Sequence, residues 1–179
     1  MKLYLFKYLL FFISGIFVFP LVRIVPNPSN SGYDRIDPFK NGVAKVYKDD
    51  FVGFINQKGE EVIACRYNTI GEFYAGMAKV SIGENFGYIS SKDEEVIKIR
   101  YAYIGPFKQN IALVRIKNLF GLVDRNGNEI MPVIYHEISE FNGKGIAKVR
   151  LNHLEGKINR QGYWVEPIVQ AEQEEEDSE

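Results

Sequence analysis

A repeat of 34 residues limits what this chain can fold into more strongly than any other feature of its sequence. Tyrosine recurs at that interval in four copies: Tyr33, Tyr67, Tyr101 and Tyr135. In every copy the tyrosine is followed by isoleucine, phenylalanine, alanine, valine, glycine and then isoleucine or valine. The spacing is the same in all copies, except that the last has one additional residue before its alanine. Seven matched columns indicate a repeat array over residues 33–167. The predicted units are residues 33–66, 67–100, 101–134 and 135–167.

Each unit is predicted to contain three β-strands. The first alternates small apolar and polar residues, and the second begins at the glycine column and ends in a tight turn. Asn126-Gly127 is the strongest of these turn signals, and Asp93 tolerates a positive φ where glycine is missing. Pro132 and Pro167 indicate that the third strand ends early or lies at a sheet edge. The Tyr-x-x-Ile-x-x-Phe segment has period three, which predicts an irregular connector.

We therefore expect an all-β fold, an array of four three-stranded antiparallel units behind an N-terminal hydrophobic helix. A propeller-like closure is the alternative, although four blades of three strands would be thin. Each connector is expected to pack against the neighbouring unit.

The glycine column interrupts the second strand of every unit: Gly53, Gly87, Gly121 and Gly156. A glycine inside a strand predicts that a ring or a backbone segment passes close to the bare Cα, and the tyrosine column is the candidate. Gly87→Val is then expected to loosen the array, whereas Lys79→Ala is expected to leave its stability nearly unchanged.

These columns resemble those of the WG-containing repeat, whose unit is likewise all-β. The resemblance covers all four copies, about three quarters of the chain. It departs at the tryptophan position, which holds Val52, Phe86, Phe120 and Glu155. The resemblance implies a binding or scaffolding module without naming a ligand, and the irregular end copies are typical of caps on repeat arrays.

The N-terminus predicts export. Lys2 and Lys7 precede an uncharged apolar run from residue 8 to 22, which is typical of a signal peptide or, if uncleaved, a membrane anchor. Residues 1–25 are assigned to this segment and residues 26–32 to a linker, with one cleavage signal at 29–31. The body is expected to be extracytoplasmic: secreted, periplasmic or anchored by this segment.

The charge pattern excludes some partners. Net charge is −1, with six acids in the last eight residues, so residues 168–179 are predicted to form a disordered acidic tail. Between the N-terminal segment and these last eight residues, 19 bases stand against 17 acids, which is too weak an excess to indicate nucleic-acid binding. Cys65 is the only cysteine and allows no intramolecular disulfide.

No catalytic, metal or cofactor site is predicted. His136 and His153 fall in different repeat columns, and with Cys65 they do not supply the convergent ligands of a metal site. Three glutamates, Glu61, Glu95 and Glu129, share one column. An acid and a base need unlike environments, so one repeated column argues against a hydrolase.

The strongest binding signal is a lysine column broken at Leu113: Lys45, Lys79 and Lys148. Strand alternation places it opposite the alanine and valine columns, so stacking could form a basic stripe for an anionic envelope polymer. The alternative is a solvated face that prevents edge pairing.

The resulting hypothesis is a non-catalytic extracytoplasmic binding or scaffold module whose partner is a protein or an anionic envelope polymer. A structural envelope spacer is the alternative, and a hydrolase is disfavoured.

Overall fold

The structure is a computed structural model, and it describes residues 32–170. These residues form four antiparallel sheets, and each sheet has four strands in chain order. The first two sheets comprise β1 (Arg35–Ile36), β2 (Val43–Lys48), β3 (Phe51–Asn56) and β4 (Glu61–Tyr67), then β5 (Thr69–Ile70), β6 (Met77–Ile82), β7 (Asn85–Ser90) and β8 (Glu95–Tyr101). The last two comprise β9 (Tyr103–Ile104), β10 (Ile111–Ile116), β11 (Leu119–Asp124) and β12 (Glu129–Tyr135), then β13 (Glu137–Ile138), β14 (Ile146–Leu151), β15 (Leu154–Asn159) and β16 (Trp164–Gln170).

The all-β repeat array is confirmed, and each unit has one strand more than the three expected. The additional strand is the two-residue pairing of the connector, in which Ile70 lies opposite Val80. Two paired residues are too few to produce the alternation by which strands are recognised in a sequence. In the first three sheets, the last strand also ends on the tyrosine that begins the next sequence unit, as β4 does at Tyr67.

The core lies between consecutive sheets. Ala78 and Val80 of the second sheet are fully buried and pack against Ile63 and Tyr67 of the first. The principal contacts between sheets join β3 to β5 and β4 to β6, and these pairings recur at the next two junctions. The first and last sheets share none of these principal contacts among the described residues, so the sheets form an open series.

The glycine column permits a close approach of two backbones. A Cβ at Gly87 would lie 2.6 Å from the Ile97 carbonyl oxygen, and one at Gly53 would lie 2.6 Å from that of Ile63. The pairing register shifts at this point in all four sheets, which brings the bulged last strand over the glycine. The expected close approach is therefore present, but its source is the strand backbone and not the tyrosine, which pairs one position earlier, as Tyr101 does with Phe86.

The sheet edges and chain ends agree in part with expectation. Pro132 lies in β12, an edge strand, as the missing N–H requires. Strand β16 continues to Gln170, so residues 168–170 belong to the last sheet and not to a tail. The segment predicted at 1–25 with its helix, the linker predicted at 26–32 except for its last residue, the cleavage signal at 29–31 and residues 171–179 of the tail predicted at 168–179 lie outside the described residues. Residues 32–170 include no helix long and apolar enough to cross a bilayer.

Each tight turn after the first packs on the sheet before it. A Cβ added at Gly127 would overlap the Val96 carbonyl oxygen of β8, and one at Gly162 would lie 2.7 Å from the Ile130 carbonyl oxygen of β12. Gly59 occupies the same place in the first sheet, and a Cβ there would have no neighbour within 4 Å. Asp93 takes this position in the second sheet with φ of 63°, as expected.

Gly127→Ala and Gly59→Ala therefore form a matched pair that measures sheet docking. Both glycines have a positive φ, 85° and 83°, so both substitutions carry a similar backbone penalty of about 1–2 kcal/mol. Only Gly127→Ala also forces a methyl group into Val96, which adds about 1–3 kcal/mol. Urea unfolding of the full chain should show the larger loss for Gly127→Ala. Equal losses would contradict docking of this turn on β8.

Candidate functional site

The lysine column links consecutive sheets and does not form a basic stripe. Lys45 Nζ donates to the Ile70 carbonyl oxygen at 2.9 Å, and Lys79 Nζ donates to the Ile104 carbonyl oxygen at 2.8 Å. Alternation correctly turns these side chains away from the alanine and valine columns. The face on which the lysines lie is covered in the first two sheets by the connector of the next sheet, so the predicted stripe is absent. Lys148 lies in the last described sheet and is exposed.

Aromatic rings close the same junctions. Phe54 meets Phe73 edge-to-face with ring centroids 6.4 Å apart, and Tyr88 meets Phe107 in the same way at 5.6 Å. In each pair, a ring from the third strand of one sheet contacts the connector phenylalanine of the next. The Lys79 ammonium lies 4.8 Å from the Phe86 ring centroid, and burial lowers its pKa. A lysine and a pair of rings thus close each of the first two junctions.

Buried tyrosines add a polar link between sheets. Tyr67 donates its hydroxyl hydrogen to Asp93 in the turn of the next sheet, and Arg66 contacts both groups. Tyr101 donates to Glu129 at 3.0 Å in the equivalent arrangement. Burial, followed by the hydrogen bond to Asp93, raises the pKa of Tyr67 to about 12, so the phenol remains a donor at neutral pH.

The sequence-level candidates for chemistry are dispersed. Glu61 accepts a hydrogen bond from Tyr33, Glu95 lies 3.9 Å from Lys98, and Glu129 binds Tyr101, so each carboxylate serves its own junction or strand. The three remaining candidates do not converge either: His136 Nδ1 accepts the Asn152 N–H at 3.0 Å, His153 is exposed and Cys65 is half-buried. Residues 32–170 include no cluster of three or more His, Cys, Asp or Glu side chains suited to a metal ion.

The third junction differs from the first two at both repeated positions. Leu113 replaces the lysine, and Leu122 replaces the aromatic residue of the third strand. Leu113 cannot donate a hydrogen bond to the Ile138 carbonyl, which corresponds to those of Ile70 and Ile104. A cavity of about 340 Å³ lies here between the third and fourth sheets. We call it the third-junction cavity.

The third-junction cavity has an apolar floor and a charged rim. Its floor is formed by Ile111, Leu113, Leu122, Ile138 and Phe141. Its rim includes Tyr103, Lys108, Glu140 and Arg160. This combination of an apolar floor and a few polar groups is the usual composition of a small-molecule site.

The rim carries one charge that no other described side chain neutralises. Lys108 and Glu140 form an ion pair of 2.6 Å between the connectors of the third and fourth sheets. Arg160 lies with its guanidinium carbon 5.7 Å from the Phe141 ring centroid and takes part in no ion pair among residues 32–170. The mouth of the cavity therefore has a net positive charge from a residue held against its floor.

The sequence contained a signal for this site. Leu113 breaks the lysine column, and the sequence alone indicates only a gap in a surface stripe at this position. Leu122, nine residues later in the same unit, breaks the column of aromatic residues in the third strand. This second break points to a cavity only when the structure shows that the lysine column and the aromatic column both contact the connector of the next sheet. Two coincident departures in one repeat are thus the signal that sequence reasoning missed.

Comparison with known families agrees with the architecture. A model described as "WG containing repeat" matches residues 32–50, 53–85, 86–120 and 120–154. The chain belongs to the WG-containing repeat family. No curated protein has a sequence that matches it. The two central family repeats, residues 53–85 and 86–120, begin at the third or second residue of one sheet's third strand. They end at the first or second residue of the third strand of the next sheet, so each includes one junction.

Two solved structures show weak overall similarity. KlHsv2 with one loop replaced by a Gly-Ser linker has a TM-score of 0.33 and 10% identity, over 69% of this chain and 46% of that one. A protein of unknown function from Bacteroides caccae has a TM-score of 0.28 and 18% identity, over 76% of this chain and 60% of that one. The WG repeat chain thus spans about half to three fifths of these structures, and both similarities are too weak to assign a function.

The lysine links give a prediction with a matched control. Lys79→Met keeps the length of the side chain but removes the ammonium that binds Ile104, so it should lower the free energy of unfolding by about 1.5 kcal/mol. Lys148→Met should change it by less than about 0.5 kcal/mol, because Lys148 is exposed. Chemical unfolding of the two full-length variants measures both values. Because Lys79 binds the Ile104 carbonyl, this prediction takes the place of the expectation from sequence that removing the Lys79 side chain leaves stability nearly unchanged. Indistinguishable values would show that the link does not stabilise the array.

Proposed function

We propose that this WG repeat protein is a non-catalytic extracytoplasmic module of the cell envelope that binds a ligand in the third-junction cavity. The observation that carries the proposal is the simultaneous loss of the lysine and the ring at one junction only. The first two junctions show that the fold can close this space with Lys79 and Tyr88. The third leaves an apolar floor beneath charged groups.

The arrangement of the carboxylates supports a non-catalytic role. An acid and a base for hydrolysis would have to face one substrate from unlike environments. Glu61, Glu95 and Glu129 lie in three different sheets, and two of them accept hydrogen bonds from the tyrosine of a preceding segment. Among the described residues, Glu129 joins two sheets, Glu95 pairs with Lys98 of its own strand, and Glu61 holds Tyr33.

A structural spacer is the second candidate. It is favoured by the repetition of the junction contacts, which couple each described sheet to the next through buried side chains. A pure spacer gains nothing from a cavity, whereas a binding module requires one. Binding and spacing therefore differ in what should happen when the cavity is filled.

Export is supported by the apolar N-terminal run behind Lys2 and Lys7. Protease added to spheroplasts of cells that produce the full chain should digest its body, since we place it outside the cytoplasmic membrane. A chain without residues 1–25 should stay protected until the cells are lysed. Protection of both chains would contradict an extracytoplasmic location.

Binding is tested by closing the cavity with the residues used at the other junctions. In native mass spectra of the full chain purified from producing cells, the parent should carry a small-molecule adduct. The double variant Leu113→Lys/Leu122→Tyr should carry none, because the new side chains occupy the floor and offer Ile138 a donor. Its unfolding midpoint should equal or exceed that of the parent, which separates lost binding from lost folding. Identical spectra without an adduct would favour the spacer.

A further inference from the structure

The charge at the mouth of the third-junction cavity limits what can bind there. Lys108 and Glu140 neutralise each other across the junction at 2.6 Å. Arg160 remains as a guanidinium with no carboxylate partner among the described residues, half-buried beside the apolar floor. A cationic ligand would be repelled by Arg160. An anion would be attracted by the Arg160 guanidinium, and the attraction is stronger than in bulk water because the half-buried group is only partly hydrated.

The guanidinium also favours one kind of anion. Its planar fork of N–H donors matches a carboxylate in a bidentate arrangement, more closely than a lysine ammonium does. Contact with the Phe141 ring at 5.7 Å helps to hold the group at the rim. The same fork also matches a phosphate, but a phosphate carries a charge of about −1.5 to −2 at neutral pH and Arg160 is a single cation, so the ligand's charged end is expected to be a carboxylate.

The floor specifies the rest of the ligand. The side chains of Leu113, Leu122 and Ile138 are purely hydrocarbon, and Leu122 is 3% exposed. At about 340 Å³ the cavity lies at the small end of the range for small-molecule sites, about 300–1,000 Å³. In the first two junctions this space is filled by a ring such as Tyr88, so a planar ring fits the geometry that the fold provides.

Resting on the proposed binding function, we propose that the third-junction cavity binds a compact apolar carboxylate, with the ring or alkyl body on Leu113, Leu122 and Phe141 and the carboxylate on Arg160. Arg160 supplies the preference for an acid over a neutral or basic analogue of the same shape. The apolar floor supplies the preference for a hydrocarbon body over a bare anion.

Three probes of nearly equal shape test this assignment: phenylacetate, phenylacetamide and phenethylamine. Titrated into the full chain and followed by methyl NMR of the cavity leucines, phenylacetate should bind at least about tenfold more tightly than the other two. Acetate should bind more weakly than phenylacetate, because it lacks the apolar body. Equal binding of phenylacetate and phenylacetamide would overturn the role of the carboxylate, even in the absence of any variant.

Arg125 offers a matched control for Arg160. It occupies the same repeat column and lies 4.7 Å from the Phe107 ring centroid, but it does not line the cavity. Arg160→Gln should reduce phenylacetate affinity at least about tenfold and abolish the preference over the amide, whereas Arg125→Gln should leave both unchanged. Equal effects of the two substitutions would overturn the proposal.

The outcomes also separate this inference from the proposed function. If none of the three probes binds while the purified parent carries an adduct that the filled variant lacks, the carboxylate assignment is wrong and the binding function stands. If the probes do not bind and no adduct is present, both fail.

Discussion

Packing of each sheet against the next is the interaction on which the rest of this molecule depends. A sheet of four short strands, one of them only two residues long, cannot bury its apolar face alone. From the second sheet onward the alanine and valine columns are buried by the preceding sheet, and the lysine face of the first two sheets is covered by the connector that follows. Because the middle sheets are covered on both faces, a residue such as Lys79 that alternation places opposite the core becomes part of a second contact. The glycine column serves the same packing, since the bulged strand that crosses Gly87 carries Ile97 and Tyr101 into the next core.

The polar contacts at the junctions explain why repeats with such different side chains remain in register. A carbonyl that accepts a hydrogen bond from an ammonium at 2.8 Å, or a tyrosine hydroxyl that reaches one carboxylate of the next sheet, favours one alignment of the two sheets. Apolar contacts alone tolerate sliding, whereas a buried donor left without its acceptor is costly. The links are therefore better understood as setting alignment than as the main source of stability, which comes from the buried apolar columns.

The sequence predicts the strands of this fold better than it predicts their neighbours. The alternation of small apolar and polar residues that predicts the first strand of each unit corresponds in the second unit to Met77–Ile82, and the turn column predicts the positive φ at Asp93. Thr69–Ile70 was missed as a strand because two residues show no period. Periodicity correctly placed Lys79 on the face opposite Ala78, but it cannot distinguish a face in solvent from a face under another sheet. The cavity was missed for the same reason: a column shows what recurs, and not which two columns meet across a junction.

The third junction also differs in how it is held. Lys108 and Glu140 join its two connectors where a buried lysine link is absent, and both side chains are largely exposed, at 65% and 82%. An exposed ion pair contributes only about 0–1 kcal/mol to stability, which is less than the buried lysine link contributes at each of the first two junctions. The tyrosine contact is altered as well, since Tyr135 meets the ring of Trp164 where Tyr101 meets a carboxylate. The junction that leaves room for a ligand is thus the one whose own contacts are weakest. A ligand that touches Leu113 on one side and Phe141 on the other would join the third and fourth sheets, so its binding would stabilise the array by an amount that rises with the ratio of its free concentration to its Kd.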